Sequence, residues 1–223
     1  FDFANQTWVR FSVSAPTQKS APNGVTIDEI AIHDASQGVN DTWFFLGDSI
    51  SAFAFDQESP AHQPSFADVV HTQNSAYFPL MLNGGIGGIS SKEALERLPK
   101  TLEANADAKI WAIGLGTNDA AGDATSAVQF KLNMQAIIDK LKAAGKTPIL
   151  ARIPFASKEH AHIDLFNQVV DDLTKENKLT KGPDLYAHFK AHPDELADGI
   201  HPTNGGIVSI NRLWAASVSS LYK

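Results

Sequence analysis

Apolar and polar positions alternate in blocks along most of the chain, and these blocks predict strands separated by helices. The strongest strand signal is Trp43–Leu46, four apolar residues that run directly into a Gly-Asp-Ser turn. A short apolar run bounded by a turn is typical of a buried strand. Runs of the same kind predict further strands at Tyr77–Leu82, which Pro79 interrupts, at Lys109–Leu115, at Thr147–Ile153 and near Asp184-Leu185-Tyr186.

Helical periodicity fills the intervals between the predicted strands. Ser90–Glu103 is expected to form a helix that begins at Ser90 or Ser91, with Glu93 in its first turn. Other helices are expected within Gln63–Asn74, along Val128, Leu132, Ile137, Ile138 and Leu141 up to Gly145, along Leu165, Val169, Val170 and Leu173, and over Thr203–Leu221. Strands and helices that alternate in this way predict βαβ units and a mostly parallel sheet.

Residues 1–41 break this alternation. Thr7–Ser14 alternates apolar and polar side chains, Val25–Asp34 is a second β-like run, and the Pro-containing stretch 15–24 between them is typical of a loop. Two or three strands are not stable alone, so they either dock on the main domain or are the end of a β-sandwich. We therefore predict an N-terminal β segment over 1–41 and an α/β domain over 42–223.

The composition of the chain argues against several kinds of binding partner and site. The net charge is -7 with no run of Lys or Arg, which argues against binding to nucleic acid or to an anionic membrane surface. No apolar stretch approaches the ~20 residues that a membrane span requires. The chain has no cysteine, which excludes disulfides, thiolate nucleophiles and cysteine-based zinc sites.

Glycine or polar residues occupy the junctions that follow the predicted strands. Because the carboxyl ends of parallel strands meet at one edge of a sheet, we expect these junctions to converge there, where such folds bind ligands. The junctions are Gly47-Asp48-Ser49, Asn83–Gly88, Gly116–Asp119 and the loop that holds Asp198–His201.

These junctions contain the residue types that acyl transfer needs. A serine nucleophile such as Ser49 requires a neighbouring base, usually a histidine that a carboxylate orients, and Asp198 and His201 supply both from one short segment. Gly88 could offer a backbone N–H to a developing oxyanion, and Asn118 could offer its side-chain amide. Each residue also has a structural interpretation: Ser49 and Asn118 as helix caps, Gly84–Gly88 as a phosphate-binding loop, and the Asp198 turn as a lead into the last helix.

Taken together and in chain order, the four segments resemble the four blocks of the SGNH (GDSL-type) hydrolase family over about residues 42–221. The resemblance implies a flavodoxin-like three-layer α/β/α sandwich that hydrolyses esters or thioesters without a cofactor. It implies that Ser49 is the nucleophile, His201 the base and Asp198 its orienting partner. It also implies an oxyanion hole made by the N–H groups of Ser49 and Gly88 and the amide of Asn118. Ile89 stands where the family has a polar residue, which leaves Gly87 or Gly88 as the donor; counting from Asn83 favours Gly88.

Other chemistries have less support in the sequence. The Gly-x-Ser-x-Gly motif of ordinary α/β-hydrolases is absent, and no pair of acids indicates a glycosidase. His160, His162 and Asp164, or His188 and His192, could bind a metal ion, but surface histidines beside helices are the commoner explanation of such residues.

We expect a serine ester hydrolase that acts on a small-molecule or carbohydrate ester. The second β-like run resembles the closing strand of galactose-binding-like jelly-roll modules, which occur beside SGNH domains that deacetylate polysaccharides. This favours a carbohydrate O-acetyl esterase. The alternatives are a general arylesterase, thioesterase or lysophospholipase, and a carbohydrate-binding protein without catalytic activity.

Overall fold

A five-stranded parallel sheet forms the centre of the protein. The structure is a computed structural model, and it describes residues 41–56, 59–121, 126–156 and 162–223. The strand order is β2-β1-β3-β4-β5, which is the flavodoxin-like order. The strands are β1 (Thr42–Gly47), β2 (Leu80–Gly85), β3 (Ile110–Gly114), β4 (Thr147–Arg152) and β5 (Lys181–Asp184). The β segment predicted over 1–41 lies outside the described residues except for Asp41, so the division of the chain there stays a prediction.

Helices follow the strands as the periodicity predicts. Ser90 begins α3 with a capping box, in which its side chain accepts from the N–H of Glu93 and the Glu93 carboxylate accepts from the N–H of Ser90. The helices are α1 (Ser49–Ala54), α2 (Phe66–Gln73), α3 (Ser91–Ala104), α4 (Thr117–Ala120), α5 (Ser126–Ala143), α6 (Ile163–Glu176), α7 (Leu185–Ala191) and α8 (Asn204–Ser217). Short 3₁₀ turns occur at Pro60–His62, Pro193–Glu195 and Ser219–Tyr222.

Alternating side chains of β1 divide the core into two halves. Trp43 and Phe45 point to one face of the sheet, where they pack with apolar residues of α1, α2, α7 and α8. Phe44 and Leu46 point to the other face, where α3, α5 and α6 cover them. Every residue of β1 is buried, as expected for a central strand that has helices on both sides. The three-layer α/β/α sandwich is therefore confirmed.

Two predicted helical stripes are partly wrong. Val128 and Leu132 of α5 are 69% and 60% exposed, and Leu165 of α6 is also exposed. The core side of α5 is instead formed by Phe130, Met134 and their helical neighbours. An apolar stripe on a helix indicates a buried face, but where that face begins depends on how neighbouring helices pack against it.

The prediction for the fifth strand is also wrong in its position. The strand ends at Asp184, because the Asp184 side chain accepts a hydrogen bond from the N–H of Ala187 at 3.0 Å and caps α7. Leu185 and Tyr186 therefore belong to a helix. In addition, β2 begins only after Pro79 and continues to Gly85. Within the described ranges, no helix is both long and apolar enough to cross a membrane.

Candidate active site

The polar junctions that follow β1, β2 and β3 are hydrogen-bonded to one another at the carboxyl edge of the sheet. The N–H of Ile86 donates to the carbonyl of Gly47 at 3.0 Å, and the N–H of Asp48 donates to the carbonyl of Gly114 at 3.3 Å. The Asn118 side-chain amide donates to the carbonyl of Ile89 at 2.9 Å. The predicted convergence of these loops is thus observed.

Ser49 is the first residue of α1, and two local features hold it there. Asp48 caps the helix by accepting from the N–H of Ile50 at 3.0 Å. Gly47 lets the helix start close to the sheet, because a Cβ atom at this position would lie 1.9 Å from the Ser51 hydroxyl and 2.8 Å from the Gly114 carbonyl. The N–H of Ser49 belongs to the first turn, where no helix carbonyl is available to accept it.

Asp198 and His201 lie in a loop between the second 3₁₀ turn and α8. An antiparallel bridge between Leu196 and Pro202 closes the base of this loop. The N–H of Ala197 also donates to the carbonyl of His201 at 2.8 Å. The geometry of the loop is therefore set mainly by bonds within it.

A chain of two hydrogen bonds connects the three predicted catalytic residues. The Ser49 hydroxyl lies 3.0 Å from His201 Nε2, and His201 Nδ1 lies 2.8 Å from Asp198 Oδ2. Since a carboxylate only accepts, Nδ1 carries the proton, and Nε2 is free to accept from the serine. Such an arrangement is what general-base activation of a serine requires.

The loop also holds the Asp198 carboxylate in place. Its Oδ1 atom accepts from the N–H groups of Ile200 and His201 at 2.9 and 2.8 Å, which turns Oδ2 toward the imidazole. Hydrogen bonds from the His201 ring, from the His201 N–H and from the Ile200 N–H hold the pKa of Asp198 well below its usual range. The Asp198 carboxyl group is therefore ionised in the folded protein at neutral pH.

The two predicted oxyanion donors both lie next to Ile89, which Gly88 precedes in the chain and whose carbonyl accepts from the Asn118 amide at 2.9 Å. One hydrogen of the Asn118 amide is used by the Ile89 carbonyl, and among the described residues the second has no acceptor. Gly88 is exposed and has a φ of +74°, a conformation that glycine adopts without strain. Gly87 is exposed as well, and no hydrogen bond within the described ranges distinguishes the two glycines. The choice between them stays a prediction.

Asp48, directly before Ser49, is a buried carboxylate with an incomplete set of partners. It is 1% exposed, and its Oδ2 atom has no hydrogen-bond partner among the described residues. Burial raises the pKa of Asp48 to about 6, and interactions with the Ile50 N–H and the Thr117 hydroxyl oppose that rise. The site thus contains a second acid whose environment favours the neutral form.

Three further residues support or border the candidate site, and the sequence analysis did not assign them to it. Asp119 accepts from the N–H of Ser91 at 2.9 Å and from its hydroxyl, so it joins α4 to the start of α3. Glu195 accepts from the Ser209 hydroxyl at 3.1 Å and lies 2.8 Å from His188 Nε2, at the base of the loop that holds Asp198 and His201. Phe53 contacts the His201 ring. Only Phe53 had a signal, because it follows Ser49 by four residues on a helix.

The histidines considered as metal ligands are placed differently. His188 is paired with Glu195 and stacks on His192, with 4.7 Å between ring centroids. In the part of the chain that the structure describes, no group of three or more candidate ligands is arranged to hold a metal ion. His160 lies outside that part.

The strand order and the four converging junctions define the class of SGNH hydrolases. A model of the GDSL-like lipase/acylhydrolase family matches residues 45–206, and the chain belongs to this family. Its members are carboxylic ester hydrolases. No curated protein matches the chain.

Solved structures confirm the fold. A lipase/acylhydrolase from Enterococcus faecalis is 23% identical with a TM-score of 0.65, and the match covers 81% of this chain and 96% of that one. An acetylxylan esterase from Geobacillus stearothermophilus, Axe2, is 18% identical with a TM-score of 0.66 over 81% and 95% of the two chains. The protein TesA is 23% identical with a TM-score of 0.67 over 81% and 99%.

Proposed function

We propose that this protein is a serine esterase that removes short acyl groups, principally acetyl, from a carbohydrate ester. The observation that carries the proposal is the continuous hydrogen-bond path from the Ser49 hydroxyl through the His201 ring to Asp198, with distances of 3.0 and 2.8 Å. No metal or cofactor is needed for this chemistry.

In the proposed reaction, the Ser49 oxygen attacks the ester carbonyl while His201 Nε2 takes the hydroxyl proton. The charge on the carbonyl oxygen is stabilised by the N–H groups of Ser49 and Gly88 and by the Asn118 amide. The carbon–oxygen bond to the alcohol then breaks, and His201 returns the proton to the departing oxygen. Water, deprotonated by His201, attacks the acyl-enzyme in the same way, which releases the acid and restores Ser49.

Accessibility supports an acyl group that is attached to a large molecule. The side chains of His201 and Asp198 are 36% and 57% exposed, so a bulky alcohol can approach the base directly. An acetylxylan esterase is among the proteins of similar structure, and the resemblance of the N-terminal run to jelly-roll modules points to the same class of substrate. These observations favour a carbohydrate O-acetyl esterase.

Replacing Ser49 with alanine tests the proposed nucleophile. The Ser49→Ala variant should lose on the order of a thousandfold or more in kcat on p-nitrophenyl acetate. The matched control is Ser220→Ala, an exposed serine in the last turn, which should retain the activity. Near wild-type turnover by Ser49→Ala would exclude this serine as the nucleophile.

The acyl and alcohol preferences need a separate comparison. A thioesterase or lysophospholipase would prefer long acyl chains, and an arylesterase would cleave p-nitrophenyl acetate without releasing acetate from acetylated xylan. The proposed enzyme should release acetate from acetylated xylan and slow down as the acyl chain lengthens. A carbohydrate-binding protein without activity would bind the polysaccharide, but an organophosphonate would not label its Ser49.

A further inference from the structure

Phe53 is a large apolar side chain that is exposed beside the proposed catalytic base. Its side chain is on α1, and the residue is 48% exposed, whereas Ile50, Ala54 and Phe55 around it are buried in the core. Residues four apart on a helix lie on the same face, so Phe53 lies one turn beyond Ser49 on the side that faces the catalytic loop. The core therefore does not account for the apolar character of this position.

The ring of Phe53 contacts the imidazole of His201. The two ring centroids are 5.8 Å apart with an interplanar angle of 85°, an edge-to-face arrangement. Both nitrogens of His201 are already engaged, Nδ1 with Asp198 and Nε2 with Ser49. Phe53 thus borders the base without occupying either nitrogen, and part of its surface remains open to a ligand.

The chemistry of acylation decides which part of the substrate meets this surface. When the tetrahedral intermediate collapses, the departing oxygen must lie within about 3 Å of His201 Nε2 to receive its proton. The alcohol attached to that oxygen consequently lies beside whatever flanks the imidazole. The carbonyl oxygen is directed to the donors at Gly88 and Asn118 instead.

We propose that Phe53 forms the leaving-group subsite and binds the apolar face of a ring-shaped, uncharged alcohol. This inference rests on the proposed function. A sugar ring and a phenol both present such a face, and an aromatic ring stacks on either. Asp198 next to the site is ionised, which disfavours an anionic alcohol at the same position.

The test is a comparison of acetyl esters that differ only in the alcohol. The substrates are phenyl acetate, glucose pentaacetate and ethyl acetate, and the variants are Phe53→Ala and Phe53→Trp. In Phe53→Ala, kcat/KM for the two ring alcohols should fall about tenfold more than kcat/KM for ethyl acetate, and Phe53→Trp should restore the difference. A loss with glucose pentaacetate alone would assign the subsite to sugars, and a loss with phenyl acetate alone would assign it to aryl alcohols.

Two further measurements separate this role from a structural one. The preference for p-nitrophenyl acetate over p-nitrophenyl butyrate should not change in Phe53→Ala, because the acyl group lies elsewhere. The matched control is Phe78→Ala, since Phe78 is 58% exposed and also packs edge-to-face on a histidine, His71, before β2 at the opposite edge of the sheet. Phe78→Ala should change neither the preference for ring alcohols over ethanol nor the preference for acetyl over butyryl esters.

Equal losses with ring and ethyl esters, together with a shifted pH profile for all substrates, would overturn the proposal and show that Phe53 only positions His201. No loss with any ester would overturn it as well. Failure of the proposed function is distinguishable, because the wild-type protein would then hydrolyse none of these esters and would not be labelled at Ser49.

Discussion

Replacing Asp48 with asparagine should stabilise the folded protein at neutral pH. Asparagine has nearly the same shape and keeps an oxygen that can accept from the N–H of Ile50, as the Asp48 carboxylate does at 3.0 Å. It removes a charge that is 1% exposed and whose Oδ2 atom has no hydrogen-bond partner among the described residues. The substitution therefore removes the cost of burying the charge and retains the helix cap.

The magnitude follows from the pKa of Asp48. Burial raises this pKa from 3.8 to about 6, so the folded protein holds its proton at a pH where the unfolded chain has released it. As the pH rises through this range, the wild-type protein loses stability, and from about pH 7 upward the loss is constant. A pKa difference of this size corresponds to about 3 kcal/mol.

Urea denaturation of the wild type and of Asp48→Asn, measured from pH 4 to pH 8, tests this reasoning. Between pH 4 and about pH 7 the variant should gain about 2 kcal/mol relative to the wild type, which is the part of the total that titrates in this range, and the difference should then level off. Any free-energy cost of packing the new amide at position 48 is the same at every pH. The test is therefore the change with pH in the difference in unfolding free energy between the variant and the wild type. Asp107→Asn, which changes an exposed carboxyl, controls for effects common to any such substitution.

A difference that stays flat across this pH range would refute the reasoning. So would a wild type that becomes relatively more stable as the pH rises, because the fold would then stabilise the ionised form of Asp48.

Three other substitutions have defined expected outcomes. Glu195→Ala should lower kcat about tenfold with little change in KM in steady-state assays, because two side-chain hydrogen bonds at the base of the loop that holds Asp198 and His201 are lost. Tyr222→Phe should cost about 1–3 kcal/mol in thermal or urea unfolding, since the buried indole N–H of Trp43 donates to the Tyr222 hydroxyl at 2.6 Å and would lose its acceptor. Gly116→Ala should cost well over 2 kcal/mol in urea, since φ is +124° and the new Cβ atom would lie 2.5 Å from the Ile153 side chain. Its control, Gly145→Ala, has a φ of +72° and open space, so it should cost only about 1 kcal/mol.

Much of the fold could be predicted because its signals are local. The apolar run at Trp43–Leu46, the capping residues at Ser90 and Glu93, and the glycine that ends α5 each determine structure within a few residues. The four site segments were also recognisable, because each follows a predicted strand or opens a helix.

What could not be predicted depends on contacts between distant parts of the chain. The exposure of Val128 and Leu132 is set by the way α3 and α6 pack against α5, which a single stripe does not encode. The bonds from Ser209 and His188 to Glu195 join three segments that have no shared motif. The burial of Asp48, and with it the raised pKa, likewise results from the packing of elements around the start of α1.

The loop closed by Leu196 and Pro202 has a consequence for how this protein would lose activity. Because Asp198 and His201 lie in the same short hairpin-like turn, the distance between them persists as long as that turn does. The gap of 3.0 Å to the hydroxyl of Ser49, by contrast, spans 152 positions of the chain and depends on how α1 and the last loop are docked. The rate of ester hydrolysis would therefore fall as soon as the distance between Ser49 and His201 increased, before the turn that holds Asp198 and His201 unfolded.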